Sequence, residues 1–317
     1  METRAVTQRA EIGKFSCDTN MKPLFSFGVV ADVQYADKDD KHVSSKPPLG
    51  GYVVRYREAP EKLEKAIKAF NAKKEDLQFV LTLGDIIDGN ITAEQTETEF
   101  NEVLIRLATL ELKAYHLLGN HCVKLPREFL MEKLNMPALY YQHEISPKWS
   151  LVVLDSMDLS LRWAKDTQKY KEGLEFTETH PIVTDSSTQM ASFNGGIGRE
   201  QKAWLAGVLE EAGREGRKLI VAAHHPVLEG SAPLTHLMWN YEEVSSMLLA
   251  SPSVVLFLCG HYHSGGYLRV GNKHFVTVQA ILQAPPDTEA HAFIHVFDDY
   301  ISIEGYGFVE SRHLPTA

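Results

Sequence analysis

Five apolar runs of strand length each stop at a residue able to bind a metal, and this regularity constrains the fold more than any other feature of the chain. Leu24–Ala31 (LFSFGVVA) ends at Asp32-Val33-Gln34, Gln78–Leu83 (QFVLTL) at Gly84-Asp85, and Ala114–Leu118 at Gly119-Asn120-His121. Further along, Lys218–Ala223 runs into His224, and Val254–Leu258 leads to Gly260-His261-Tyr262-His263. Between the first three runs, Leu63, Ala66, Ile67 and Phe70 recur at the spacing of one helix face, and so do Phe100, Val103, Leu104 and Leu107. A β-α-β-α-β series of this kind predicts a parallel sheet covered by helices. The second half repeats it, with a strand at Ser150–Leu154 and a helix at Arg199–Ala212. From Gly266 onward, short alternating runs (YLRV, HFVTV, AFIHVF, ISIEG) predict antiparallel strands. Ligands gather at the carboxyl ends of strands in α/β sheets, so residues distant in sequence are carried to one edge.

Composition sets outer limits on this reading. With 317 residues, 44% of them hydrophobic, the chain can bury a sizeable core. Residues 1–22 read as a flexible tail, and residues 23–317 as a single domain with long polar loops at about 36–52 and 155–198. A formal charge of −10, from 32 basic and 42 acidic residues, argues against a nucleic-acid partner, which would need a dense basic face. No apolar run approaches the roughly 20 residues needed to span a bilayer, and Met1–Met21 lacks a signal-peptide core, so no membrane partner is expected. Cys17, Cys122 and Cys259 are too few and too scattered for a disulfide framework or a CxxC site. A cytoplasmic monomer acting on a small substrate is the expectation.

Taken singly, each strand-end segment has an ordinary structural explanation. Asp32 and Gln34 share one face of an extended strand and suit any polar strand end. Gly84-Asp85-Ile86-Ile87-Asp88-Gly89 suits a tight turn. Asn120 suits a helix cap, and His224-His225-Pro226 and the His261/His263 pair suit buried or surface histidines. Five such segments in this order are hard to ascribe to chance.

The motifs GDxxDG, GNH, HxP and GHxH, preceded by a D-x-(H/Q) strand end, resemble those of the calcineurin-like metallophosphoesterases, from about Phe25 to His263. That resemblance implies an α/β (α+β sandwich) fold of two packed mixed β-sheets flanked by helices. Gln34 in place of the usual His, together with ADVQYAD (31–37), FNGGIGREQKAWL (193–205) and MWNY (238–241), is similar to the manganese-dependent ADP-ribose/CDP-alcohol diphosphatases. This implies hydrolysis of ADP-ribose to AMP and ribose 5-phosphate, and of CDP-choline-type substrates to CMP and a phosphoalcohol, by attack of a metal-bridging hydroxide. By the same resemblance Asp32, Gln34 and His263 hold one divalent ion, Asn120, His224 and His261 hold another, and Asp85 bridges them. The amide of Gln34 makes the first site harder, which suits Mn²⁺, with Mg²⁺, Fe and Zn²⁺ as alternatives.

The resemblance also sets expectations beside the metals. His121 is expected to stabilise, or give a proton to, the departing phosphate oxygen. Asp88 is the candidate to orient it, because Cys122 stands where many relatives have an acidic residue; the alternative for Asp88 is a turn cap. Arg55 and Arg57 are expected to meet phosphate or ribose, or else to be solvated charges. Phe193, Asn194, Gly195 and Gly196 are expected to close over the nucleotide, or else to form a helix-entry turn. Trp239 and Tyr241 suit either a base-stacking or a core role. Three other functions stay open: a phosphomonoesterase, a cyclic-nucleotide phosphodiesterase, and a non-catalytic scaffold on the same fold. A protein Ser/Thr phosphatase is disfavoured, since no Arg follows Asp88-Gly89, where those enzymes carry D-R-G.

Overall fold

The computed structural model describes residues 21–43, 51–184 and 187–316. The tail expected at 1–22 therefore lies, except for its last two residues, outside the described residues, as do residues 44–50 of the first long loop. In chain order the elements are β1 (Phe25–Val30), β2 (Lys41–Val43), β3 (Tyr52–Val54), α1 (Ala59–Ala72), β4 (Phe79–Thr82), α2 (Ala93–Leu107) and β5 (Ala114–His116). Next come α3 (Arg127–Lys133), β6 (Tyr141–Ser146), β7 (Trp149–Val153), α4 (Gln168–Thr179), α5 (Arg199–Glu215), β8 (Lys218–Ala222), α6 (Tyr241–Ala250) and β9 (Val254–Cys259). The chain closes with β10 (Gly266–Val270), β11 (Lys273–Thr277), β12 (Ala290–Val296), β13 (Tyr300–Gly307) and β14 (Arg312–Pro315).

Two mixed six-stranded sheets result, ordered β14-β13-β12-β1-β4-β5 and β10-β11-β9-β8-β7-β6. In the first, β1, β4 and β5 are parallel and joined through α1 and α2; in the second, β7, β8, β9 and β11 are parallel. Period-two alternation divides the side chains of the second sheet between two cores. Leu151, Val153, Ile220 and Ala222 join the large core shared with the first sheet. Val152, Leu219 and Val221 instead meet Leu205, Val208 and Ala212 of α5 and Val244 and Leu248 of α6. One aromatic pair spans the sheets, Phe25 of β1 meeting Trp149 of β7 edge-on at 5.6 Å, while Phe27 stacks on Phe79 of the neighbouring strand β4 with centroids 4.8 Å apart. Truncating a ring such as Phe27 to alanine costs about 3–5 kcal/mol, because neighbours packed this densely fill the void only in part.

The structure departs from the sequence expectation in four places, one being β2 (Lys41–Val43), which lies in the segment expected as a loop at about 36–52 and pairs antiparallel with β3. β11 was expected to lie in an antiparallel array; it pairs antiparallel with β10 but parallel with β9, because the β10–β11 hairpin folds back beside β9. β6 and β14 carry no legible apolar run, since an edge strand needs only one buried face; half or more of the positions in each remain partly or fully exposed. The segment 155–198, expected as a loop, contains α4. Thr167 caps this helix by accepting the N–H of Tyr170 at 3.2 Å. Its only buried residue is Gly173, so no apolar stripe announced it. Polar docking holds it instead: Lys169 pairs with Asp158 at 2.6 Å, and Glu172 accepts the Arg199 N–H at 2.7 Å. Among the described residues, no helix is long and apolar enough to cross a membrane.

Candidate metal centre

The carboxyl ends of β1, β4 and β5 in one sheet face those of β8 and β9 in the other, and backbone bonds lock the segments that follow them. Gln34 N donates to Asp85 O at 2.8 Å, Gly260 N to His224 O at 3.1 Å, and Leu282 N to Asp32 O at 3.1 Å. Tying the loops this tightly forces unusual backbone. Asp32, Gln34, Asp85 and His261 all take positive φ, at 49°, 44°, 47° and 68°. Such conformations cost about 1–3 kcal/mol for a residue with a side chain and persist only where the surroundings over-determine them.

Two glycines next to donor residues are explained by close approach. A Cβ at Gly119 would lie 2.2 Å from Asp85 Oδ1, and one at Gly260 would lie 2.3 Å from Asp32 Oδ2. Each carboxylate thus rests on the backbone of another donor segment. Asp85 Oδ1 accepts His121 N–H at 2.8 Å, and Asp32 Oδ2 accepts His261 N–H at 3.0 Å.

The side chains converge from there. Asp85 Oδ2 is 3.0 Å from His224 Nε2 and 3.2 Å from Gln34 Nε2. His224 Nε2 is also 3.2 Å from Asn120 Oδ1 and 3.2 Å from His261 Nδ1. His263 Nε2 lies 3.1 Å from Gln34 Nε2 and 3.7 Å from Asp32 Oδ1. The structure therefore brings Asp32, Gln34, Asp85, Asn120, His224, His261 and His263 together. Asp85, His224 and His261 each offer an atom within 4.8 Å of the others.

The electrostatics call for positive charge. Asp32, Asp85 and His224 are fully buried, and among the described residues the ion-pair partners of both carboxylates are histidines alone. Burial pushes Asp32 up to about 7, with Asp85 adding to the rise and His224 opposing it. Burial also acts to raise Asp85, but His224 and His121 outweigh it and hold Asp85 below the ordinary carboxylate range. For His224, burial is overcome by Asp85, which lifts the ring to about 9. Burial lowers His261 and His263, the latter to about 3.

Hydrogen bonding gives the same result. His224 Nδ1 sits 2.8 Å from Leu83 O, an atom that can only accept, so Nδ1 carries a proton. In the neutral ring Nε2 then turns a lone pair toward Asp85 Oδ2, Asn120 Oδ1 and His261 Nδ1. That arrangement is stable only with a cation among them, a proton or a metal ion. The donor set of carboxylate, amide oxygen and imidazole fits hard to borderline divalent ions. Gln34 is placed with its nitrogen inward, and exchanging the isosteric amide ends puts Oε1 there instead.

Beside this cluster, His121 Nδ1 is 2.9 Å from Asp88 Oδ1 and 3.0 Å from Asp88 O. Asp85 and Asp88 hold His121 above its ordinary value against the effect of burial. Lys38 pairs with the Asp88 carboxylate, and Lys124 Nζ donates to Asp88 O at 2.7 Å. Neither lysine was legible as a partner of Asp88, because no spacing rule links those positions. His225 and His236 were missed as well. His225 Nδ1 meets Ser156 Oγ at 2.8 Å, and its ring centroid is 4.0 Å from that of His261. The His236 ring lies 5.5 Å from His261. The His224-His225 doublet was visible in the sequence, but nothing marked His236.

The residues expected at the substrate divide. Phe193 is partly exposed, with its ring 5.8 Å from that of His261. Asn194, expected at the nucleotide, is fully buried and its Oδ1 lies 2.8 Å from His261 Nε2. Gly195 is required by protein packing, since a Cβ there would lie 2.6 Å from Ser156 O. Arg55 binds the carbonyls of Val53 and Ala284 at 3.3 and 3.4 Å. Arg57 is paired with Asp37 and Asp39 at 2.5 and 2.6 Å. Trp239 is core, its indole N–H bonded to Ala191 O at 3.1 Å. Asn240 pins the segment before α5 by bonding both the N–H and the C=O of Ile197, at 3.2 and 2.9 Å.

Buried carboxylates ringed by imidazoles, where parallel strands of two mixed sheets end, are the arrangement of a metallophosphoesterase. The sequence matches the calcineurin-like phosphoesterase family over residues 25–265, and the chain belongs to that family. Within it, the chain is similar to proteins named manganese-dependent ADP-ribose/CDP-alcohol diphosphatase. It is 34% identical to the Oryza sativa protein, covering 90% of this chain and 92% of that protein. Identity is 32% to the Arabidopsis thaliana protein, covering 92% and 96%, and 30% to the human one, covering 91% and 92%. A dimetal phosphatase from Danio rerio superposes with a TM-score of 0.84 at 27% identity, covering 93% of this chain and all of that one.

Proposed function

We propose that this chain hydrolyses the diphosphate bond of ADP-ribose, giving AMP and ribose 5-phosphate, and that of CDP-alcohols such as CDP-choline, giving CMP and a phosphoalcohol. The observation that carries the reading is the lone-pair convergence on His224 Nε2, a constellation that calls for a cation, in a chain whose relatives are named for those substrates and for manganese. Asp32, Gln34 and His263 would hold one divalent ion, Asn120, His224 and His261 the other, and Asp85 both. When bound, two such ions neutralise phosphoryl charge and acidify water. The protein's own part is positional. Backbone N–H groups of His121 and His261 fix the two carboxylates, and Leu83 O fixes the His224 ring.

His121 has Nδ1 committed to Asp88, which leaves Nε2 to give a proton to the departing phosphate oxygen. Asp88 orients that ring, and Lys38 and Lys124 in turn hold Asp88. Phe193 would form an apolar wall beside His261 for the nucleotide. Contacts from Arg55 and Arg57 to phosphate would require them to exchange their present partners. A single domain over 23–317, acting as a cytoplasmic monomer on a small substrate without nucleic acid or membrane, fits the net charge of −10 and the free buried thiols of Cys122 and Cys259.

The test is turnover of ADP-ribose, CDP-choline, cyclic AMP and a simple phosphomonoester by the purified chain with Mn²⁺. Cleavage of the first two is expected. Hydrolysis of the monoester alone would overturn the substrate assignment.

A further inference from the structure

We propose that Asn194 is a positioning residue that fixes the tautomer of His261 and so prepares the metal centre before any ion arrives. The inference rests on the reading that His261 is a metal ligand. Asn194 lies in the segment before α5 and is fully buried. Its Nδ2 donates to Gln189 O at 2.8 Å and to Thr235 O at 2.9 Å. Both carbonyls can only accept, so the amide cannot be reversed without losing two buried hydrogen bonds.

Asn194 Oδ1 is thereby held toward His261 Nε2 at 2.8 Å, and this acceptor requires Nε2 to carry the proton. A neutral ring protonated at Nε2 has its lone pair on Nδ1. That atom is the one facing His224 Nε2 at 3.2 Å. His224 is oriented in the mirror sense, with its Nδ1–H on Leu83 O and Nε2 facing inward. Two imidazoles thus present opposite ring nitrogens to one point, each fixed by a carbonyl-type oxygen behind it. His263 lacks such support: its Nδ1 is buried without a hydrogen-bond partner among the described residues. Partners of this kind behind a ligating histidine fix its tautomer and ring orientation, and their loss typically weakens metal binding 10–100-fold.

The experiment uses the full chain in metal-free form, with ¹⁵N-labelled histidine. Long-range ¹H–¹⁵N NMR reports the tautomer of His261, whose signals are assigned by their absence in His261→Gln. Mn²⁺ affinity is measured by EPR titration. The parent should show His261 protonated at Nε2. Asn194→Leu, which removes the acceptor at similar volume, should lose that signature and bind Mn²⁺ about 10–100-fold more weakly. Asn240→Leu frees the same segment at Ile197 without touching His261, so it should lower the melting temperature and leave the tautomer unchanged.

An Nε2–H signature that survives in Asn194→Leu, or is lost equally in Asn240→Leu, would overturn the proposal. Neither readout needs turnover, so a chain that holds the tautomer but leaves ADP-ribose intact would defeat the substrate assignment and not this one.

Discussion

Adding one methyl group at Gly119 tests whether the centre is built by the contact between backbone and carboxylate. A Cβ there would stand 2.2 Å from Asp85 Oδ1 and 2.6 Å from its Cγ, where ordinary contacts begin near 3.4 Å. Gly119 has no left-handed backbone to disturb, so the effect comes from collision with Asp85 and with His224, whose Cε1 would stand 2.8 Å from the new Cβ. Relief requires a shift of about 1 Å, which breaks the 2.8 Å bond from His121 N–H to Asp85 Oδ1. A charge-assisted bond of this type contributes about 1.5–3 kcal/mol, and overpacking adds about 1–3 kcal/mol. Gly119→Ala should therefore lose about 3–6 kcal/mol, divided between fold stability and metal affinity.

Denaturant unfolding with and without EDTA, and Mn²⁺ titration by EPR, separate the two shares. Gly213→Ala in α5 is the control, since its Cβ would meet nothing within 4 Å. That change should stabilise the chain by about 0.5–1 kcal/mol through helix propensity. If Gly119→Ala unfolds like the parent and binds Mn²⁺ within threefold of it, the carboxylate does not depend on this contact and the reasoning fails.

Two further outcomes follow from the same geometry. His121→Gln keeps a polar side chain and should leave Mn²⁺ affinity near the parent value while kcat falls about 10²–10⁴-fold; an unchanged kcat would remove His121 from the chemistry. His116 and His291 are buried in the fold, and burial pushes each down to about 4, so the unfolded chain takes up protons that the folded chain refuses. Stability should fall as pH drops from about 6.5 to about 4, by up to about 3 kcal/mol for each ring, and His291→Leu should flatten that slope in EDTA-treated protein.

Much of this centre was legible because strand ends are where sequence and position agree. An apolar run that stops at Asp, Asn or His says both that a strand is buried and that its end is polar, and five such ends imply convergence. α1 and α2 were legible through their buried faces, at Leu63, Ala66, Ile67 and Phe70 and at Phe100 and Val103. α4 was not, since polar docking leaves no periodic trace. The NGG segment was visible as a motif, but its packing partners were not, because glycine signals close approach without saying to what. At Gly195 the neighbour is protein, Ser156 O. The partners of Asp88 are fixed by loop geometry, and a lysine four residues beyond Gln34 looks like any solvated charge.

Gln34 and His263 meet although 229 positions separate them along the chain, and the donors around them belong to both sheets. Contacts of such long range carry a large loop-closure cost, which the packing of the two sheets must offset before the cluster can hold an ion. An ion that binds only the assembled cluster adds to the stability of the folded chain by mass action. Unfolding must then part the two sheets with that ion gripped between them. The centre is in that sense a latch on the finished molecule, and how long a folded copy survives depends on how much metal surrounds it.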